Sequence, residues 1–230
     1  MRGPYSEYAA PPIYIYPDTP RPGVRFSATE IRQLLVAILA LSAAFTVLFV
    51  RYDFTLIQDP LTLLFLFGVS LLAVGTGVGL HEIMHKVVAQ RYGLWAEFRY
   101  DLRGLALAFV FALIGFIYGA PGATWISGMV TPERNGRISA AGPLTNVILG
   151  TVFLGGFLAV MNDVGLLGSL LTFAFGEVAI VNIVLGGFNL IPVMPLDGAK
   201  VWRWNKAIWV LLVVVVLGLL GFALINNILI

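Results

Sequence analysis

The chain's only two histidines stand four residues apart, in His81-Glu82-Ile83-Met84-His85. On a helix, side chains four apart are separated by about 40° in azimuth and about 6 Å along the axis, so both imidazoles face one point. That spacing lets two ring nitrogens share one Zn²⁺, with Glu82 beside the remaining coordination positions. The plainer reading is a pair of interfacial histidines packed near a glutamate at the water boundary. Against it, an ionisable Glu flanked by His at the end of an apolar span is costly, and such residues mark functional sites. Catalytic zinc usually takes three protein ligands and a water. The stretch Asn189-Leu190-Ile191-Pro192-Val193-Met194-Pro195-Leu196-Asp197-Gly198 offers the third, Asp197. Pro192 and Pro195 cannot continue a helix, so the chain must unwind there, which frees carbonyls near 188–191 and lets Asp197 turn inward. Asp197-Gly198 taken alone also suits an ordinary turn or a helix N-cap.

The elements that must position these residues are membrane spans. Of the 230 residues, 59% are hydrophobic and 11% charged, whereas soluble domains carry about 25% charged residues. Apolar runs near 33–50, 61–85, 139–161, 167–191 and 207–226 meet the requirement of roughly 20 residues per crossing. The expected fold is therefore an all-α polytopic membrane protein of about five transmembrane helices. A shorter apolar segment, 104–119, is followed by Gly119, Pro121 and Gly122. Sixteen residues of helix cover only about 24 Å, so 104–130 reads as a re-entrant element or as a helix paired with an extended return strand, with a simple extra span as the rival reading. Backbone of that kind is tolerated at membrane depth only inside protein or against a water-filled cavity.

The basic residues fix an expected orientation. If the N-terminus is cytoplasmic, all 14 Lys and Arg except Arg51 fall on the cytoplasmic side. That assignment puts His81, His85 and Asp197 on one face, provided 104–130 returns to the side it left. Residues 1–26, with prolines at 4, 11, 12, 17, 20 and 22 and tyrosines at 5, 8, 14 and 16, read as a solvated cytoplasmic tail. No cleavable signal peptide is expected there. Ser27 or Thr29 is placed to cap the first helix, and 27–230 is expected to form a single membrane-embedded domain. The chain has no cysteine, which excludes disulfides and thiolate chemistry, and its net charge of +2 points to no nucleic-acid partner.

Three motifs in order, HEIMH at 81–85, AAGPLTN at 140–146 and FNLIPVMPLDG at 188–198, resemble the site-2 protease family of intramembrane zinc metalloproteases in its compact archaeal or bacterial form. With the spans between them they cover about residues 60–200. The resemblance implies one Zn²⁺ per chain held by His81, His85 and Asp197, and Glu82 as the base that activates water. It also implies a role for Asn189 in stabilising the oxyanion or positioning the substrate strand, and a transmembrane protein as substrate within the lipid bilayer. No loop between spans has room for an inserted substrate-sorting domain. The alternative is a zinc-binding membrane protein without hydrolytic activity, a transporter or a regulatory pseudoprotease. Glu82 argues against it, because metal storage or transport needs no glutamate beside a ligating His, and no repeated halves are visible.

Other polar residues carry open readings. Asn146 either lines the site or bonds between helices. Asn182, about two helical turns before Asn189, reads as a packing hydrogen bond. Glu177 reads first as a protonated carboxyl bonded within the bundle and second as a group with a role in water or proton access. Gly75, Gly77 and Gly79 read as close helix contacts.

Overall fold

A computed structural model describes residues 23–51, 54–117, 119–226 and 228; most of the tail expected over 1–26 lies outside them. Helix α1 (Ala28–Val50) starts where Ser27 accepts from the Glu30 amide, the cap expected of it. Asp59 caps α2 (Pro60–Val74), with Pro60 at the first helical position. A wide π turn, Gly75–Leu80, joins α2 to α3 (His81–Arg91) within one continuous rod. After the pair of strands described below come α5 (Pro132–Val160), capped by Thr131, and α6 (Leu166–Asn189). A short helix α7 (Asp197–Trp204) and the last span α8 (Lys206–Ile225) complete the order. Five of these helical runs, 28–50, 60–91, 132–160, 166–189 and 206–225, are long and apolar enough to cross a membrane. The all-α polytopic reading holds.

Between α3 and α5 the chain makes strand β1 (Trp95–Tyr100), helix α4 (Leu102–Ile114) and strand β2 (Gly122–Ser127). The strands pair antiparallel, from Trp95 opposite Ser127 to Tyr100 opposite Gly122. The Asp101 amide donates to the Pro121 carbonyl at 2.9 Å. The chain thus leaves at Asp101 and comes back beside it. Gly104 permits the close return, since a Cβ there would sit 1.8 Å from the Ala120 carbonyl oxygen. Segment 104–130 is re-entrant, as a helix with a return strand. Its partner β1 was not expected, although Trp95–Tyr100 alternates in burial as a strand should.

The main core joins Leu41, Ala44 and Phe45 of α1, Ala73 and Val74 of α2, Ala108 and Ala112 of α4, Leu154 and Phe157 of α5, and Val178–Val181 of α6. Alanines make up the α4 contribution and supply one residue each from α1 and α2, as suits close packing between helices in lipid. Val147, Ile183, Leu190, Leu212 and Val216 form a second cluster that seats α8 against α5 and α6.

Candidate metal centre

Helix α3 sets the first two donors. His81 and His85 lie one turn apart with rings almost perpendicular, and their Nε2 atoms stand 3.0 Å from each other. The third comes from the far side of a break. Helix α6 stops before Pro192, and the chain turns through bonds from the Val193 amide to the Ile191 carbonyl and from the Leu196 amide to the Val193 carbonyl. The Trp209 indole N–H of α8 donates to the Leu190 carbonyl at 2.7 Å, so a carbonyl near the end of α6 has a partner. Asp197 then opens α7 and points inward. Its Oδ2 lies 3.3 Å from His81 Nε2 and 3.0 Å from His85 Nε2, while Lys200 Nζ holds Oδ1 at 3.4 Å.

This donor set fits a cation. The Ile138 carbonyl can only accept, so the His85 Nδ1 facing it at 2.8 Å carries a hydrogen and Nε2 presents a lone pair. His81 Nδ1 meets the side-chain oxygen of Asn146 in the same way. Two ring lone pairs and a carboxylate oxygen within 4.8 Å of one another repel unless a positive charge lies among them. Tetrahedral zinc with bonds of about 2.0–2.1 Å spaces its ligand atoms by about 3.3 Å, close to the separations here. All three residues are buried. Gly142 of α5 leaves the space open, because a Cβ there would lie 2.5 Å from both Nε2 atoms.

Comparison with known proteins agrees with this chemistry. No family model and no solved structure matches the chain. A protein of Methanocaldococcus jannaschii named "Putative zinc metalloprotease MJ0611" is 40% identical over 202 residues, 87% of this chain and 95% of that one. The chain belongs to this zinc metalloprotease family. "Zinc metalloprotease MJ0392" of the same organism is 32% identical over 126 residues, 55% of this chain and 31% of its own length. "Putative zinc metalloprotease Rip3" of Mycobacterium tuberculosis is 32% identical over 130 residues, 55% of this chain and 28% of its own length. These relatives are consistent with the site-2 protease resemblance that the three motifs carry.

Within this metalloprotease, the other expected residues sit as follows. Glu82 follows His81 on α3, and its Oε2 accepts from the Thr124 amide of β2 at 2.8 Å. The Thr124 hydroxyl also donates to the Glu82 carbonyl at 3.0 Å, so the return strand is fastened to the start of the zinc helix. Asn189 stands in the last turn of α6, its amide donating back to the Leu185 carbonyl at 3.0 Å. The structure therefore brings His81, His85 and Asp197 together and ties Glu82 to β2, while Asn189 is bonded within its own helix. Glu177 differs from expectation: it makes no hydrogen bond among the described residues. Gly77 and Gly79 do meet neighbours, Leu185 and Ile38, but Gly75 faces open space within the π turn. Thr124 and Lys200 were missed, and neither carries a sequence signal. Gly142 and Asn146 lie within the AAGPLTN stretch, whose spacing from the histidines could not reveal which of its residues touch them.

Proposed function

We propose that this metalloprotease is an endopeptidase that cuts transmembrane-helix substrates within the bilayer, by water attack with Glu82 as general base. The observation that carries the reading is that Glu82 adjoins His81 on α3, where His81, His85 and Asp197 converge among five helices long and apolar enough to cross a membrane. Zinc held by His81, His85 and Asp197 supplies a Lewis acid that acidifies water and polarises a peptide carbonyl. Glu82 takes the proton of the attacking water as the new C–O bond forms, then delivers it to the leaving amine as the C–N bond breaks. With Oε2 held by the Thr124 amide, Oε1 is the atom left to receive that proton. Asn189, released from the Leu185 carbonyl, donates its amide to the developing oxyanion.

A transmembrane helix hides its peptide bonds in internal hydrogen bonds and must unwind before attack. The two outer edges of the β1–β2 pair differ in how they receive such a strand. On β1, Glu30 accepts from the Phe98 amide, Gln33 accepts from the Tyr100 amide, and Gln90 donates to the Ala96 carbonyl. Side chains thus cover that edge. On β2 the Thr124 amide is taken by Glu82 in the same way, but that bond sets this edge against the reacting end of α3, and it is the edge an unwound substrate would join beside Glu82.

The orientation follows from the basic residues, with the zinc end of the bundle facing the cytoplasm. Single cysteines replacing Arg99, Arg134 and Arg203 in the cysteine-free chain are expected to resist an impermeant thiol reagent outside intact cells, while one replacing Asp163 reacts. Labelling of Arg99 and Arg134 positions from opposite faces would overturn the arrangement. The central test is Glu82→Gln in purified full-length protein given a model transmembrane peptide. It should keep about one zinc per chain yet lose turnover by about 10²–10⁴-fold, the usual contribution of a positioned base. Near-normal cleavage by that variant rules Glu82 out as the base.

A further inference from the structure

Asn146 and Asn182 are both fully buried, at 0% exposure, so every hydrogen bond they make is to protein. Their bonds form a directed chain that ends on His81. Thr76 Oγ1 donates to the Leu72 carbonyl at 2.7 Å, which leaves its lone pairs to accept. Asn182 Nδ2 donates to that oxygen at 2.9 Å and to the Val178 carbonyl at 2.8 Å. A carbonyl can only accept, so the Asn182 amide cannot flip, and its Oδ1 must face Asn146. Asn146 Nδ2 donates to this Oδ1 at 3.3 Å and to the Gly77 carbonyl at 2.9 Å. Gly77 lies in the π turn Gly75–Leu80, where the widened helix lets a side chain from α5 reach a backbone carbonyl. With both donors committed, Asn146 has only Oδ1 left for His81 Nδ1.

We propose that Thr76, Asn182 and Asn146 are positioning residues that fix the tautomer and ring angle of His81, so that Nε2 always presents its lone pair to the metal. The proposal rests on the zinc reading given above and extends it to residues one and two bonds removed from the ligand. His85 reaches the same state differently, through a single backbone carbonyl of Ile138 that no side-chain flip can reverse. His81 has no such fixed acceptor. Its partner is an amide, which presents either an oxygen or an NH₂ group, and that choice is made by the Gly77 carbonyl and by Asn182, itself oriented by the Val178 carbonyl with Thr76 as its second acceptor. Ordinary interhelical bonding predicts that these residues affect stability alone. A positioning role predicts that they affect metal affinity.

The test measures zinc affinity of the full-length protein in detergent, by competition with a chelator, together with the melting temperature of the zinc-stripped protein. Asn146→Leu should weaken zinc binding by about 10–100-fold, the usual effect of removing an outer partner of a ligating His. Asn182→Leu should weaken it by about tenfold. Thr76→Val, which keeps the shape and removes the acceptor, should weaken it measurably, whereas Thr76→Ser should restore it. Zinc-stripped melting temperatures should not follow this order. If Asn146→Leu does not fold, the Asn182 and Thr76 variants decide the matter. Zinc affinities within about twofold of wild type for both Asn182→Leu and Thr76→Val would overturn the relay while leaving the zinc site intact. A wild-type protein that binds no zinc overturns the site itself.

Discussion

The two ends of the bundle solve different problems. The end that holds α3, the start of α5 and α7 buries His81, His85, Lys86, Ser139, Asn146 and Asp197, joined by Glu30 from the first turn of α1. The other end, where α1 stops at Val50 and α6 starts at Leu166, is packed from Leu41, Ala44, Phe45, Leu154 and Phe157. Its only buried polar residues near the α1–α2 contact are Ser42, Thr46 and Ser70 among those described. In hydrocarbon an unpartnered polar group costs several kcal/mol, so the polar end is possible only because its groups satisfy one another. No buried side-chain nitrogen or oxygen among the described residues lacks a partner. The polar end is therefore specified by pairings and fails in steps of whole interactions. The apolar end is specified by shape and fails gradually.

The sharpest way to test the polar end is to fill it. Gly142→Ala would place a methyl group 2.5 Å from both histidine Nε2 atoms, where the metal ligands converge. Zinc content should fall from about one per chain to near zero, a loss of at least about 100-fold in affinity for a site denied its geometry. Metal analysis of the purified variant checks this. Full occupancy would mean that α5 does not pack against the ligand tips as described.

The next effect is on stability. Lys86, the residue after His85, is paired with Glu30, and both are 1% exposed. Glu30 also accepts from the Phe98 amide, and the Lys86 ammonium lies 4.1 Å from the centre of the Phe26 ring. The pair thus joins α1, α3 and β1 in one clamp. Lys86→Met leaves the Glu30 carboxylate buried without its cation and should cost about 3–5 kcal/mol. The double variant Lys86→Met/Glu30→Gln should recover much of that loss, because a neutral pair leaves no buried charge. Thermal unfolding of the three proteins in detergent measures the difference. A single variant as stable as wild type would remove the clamp from the account.

The same division explains what could be read without coordinates. The apolar end was legible from run length, because a bilayer demands about 20 apolar residues and five segments supply them. The convergence of His81, His85 and Asp197 was legible because the two histidines are four apart and because Pro192 and Pro195 force a break ahead of Asp197. The re-entrant segment was legible from its deficit in length. The clamp was not, since Glu30 and Lys86 are 56 residues apart and nothing local in either stretch announces a partner. Nor was the Asn146–Asn182 contact, because two helices choose their rotation through packing, and a helix hydrophobic all round gives no preferred face to read. Strand β1 escaped notice because Trp95–Tyr100 lies within 91–103, where Arg91, Arg99 and Arg103 read as a cytoplasmic loop.

The smallest effect belongs to the apolar end and sets the scale for the others. Thr46 Oγ1 lies 2.9 Å from the Ser42 carbonyl and 3.2 Å from Ser70 Oγ, and Ser42 Oγ donates to the Ile38 carbonyl at 2.7 Å. Ser70→Ala removes one acceptor from Thr46 but leaves it the Ser42 carbonyl, so no donor is stranded. An interhelical bond of this kind in a membrane bundle contributes about 0.6 kcal/mol on average, because the separated helices also find partners for their hydroxyls. The expected outcome is a small fall in melting temperature with zinc content and peptide cleavage unchanged. A loss comparable to that of Lys86→Met would show that the apolar end, too, depends on whole polar interactions, and the contrast between the two ends would collapse.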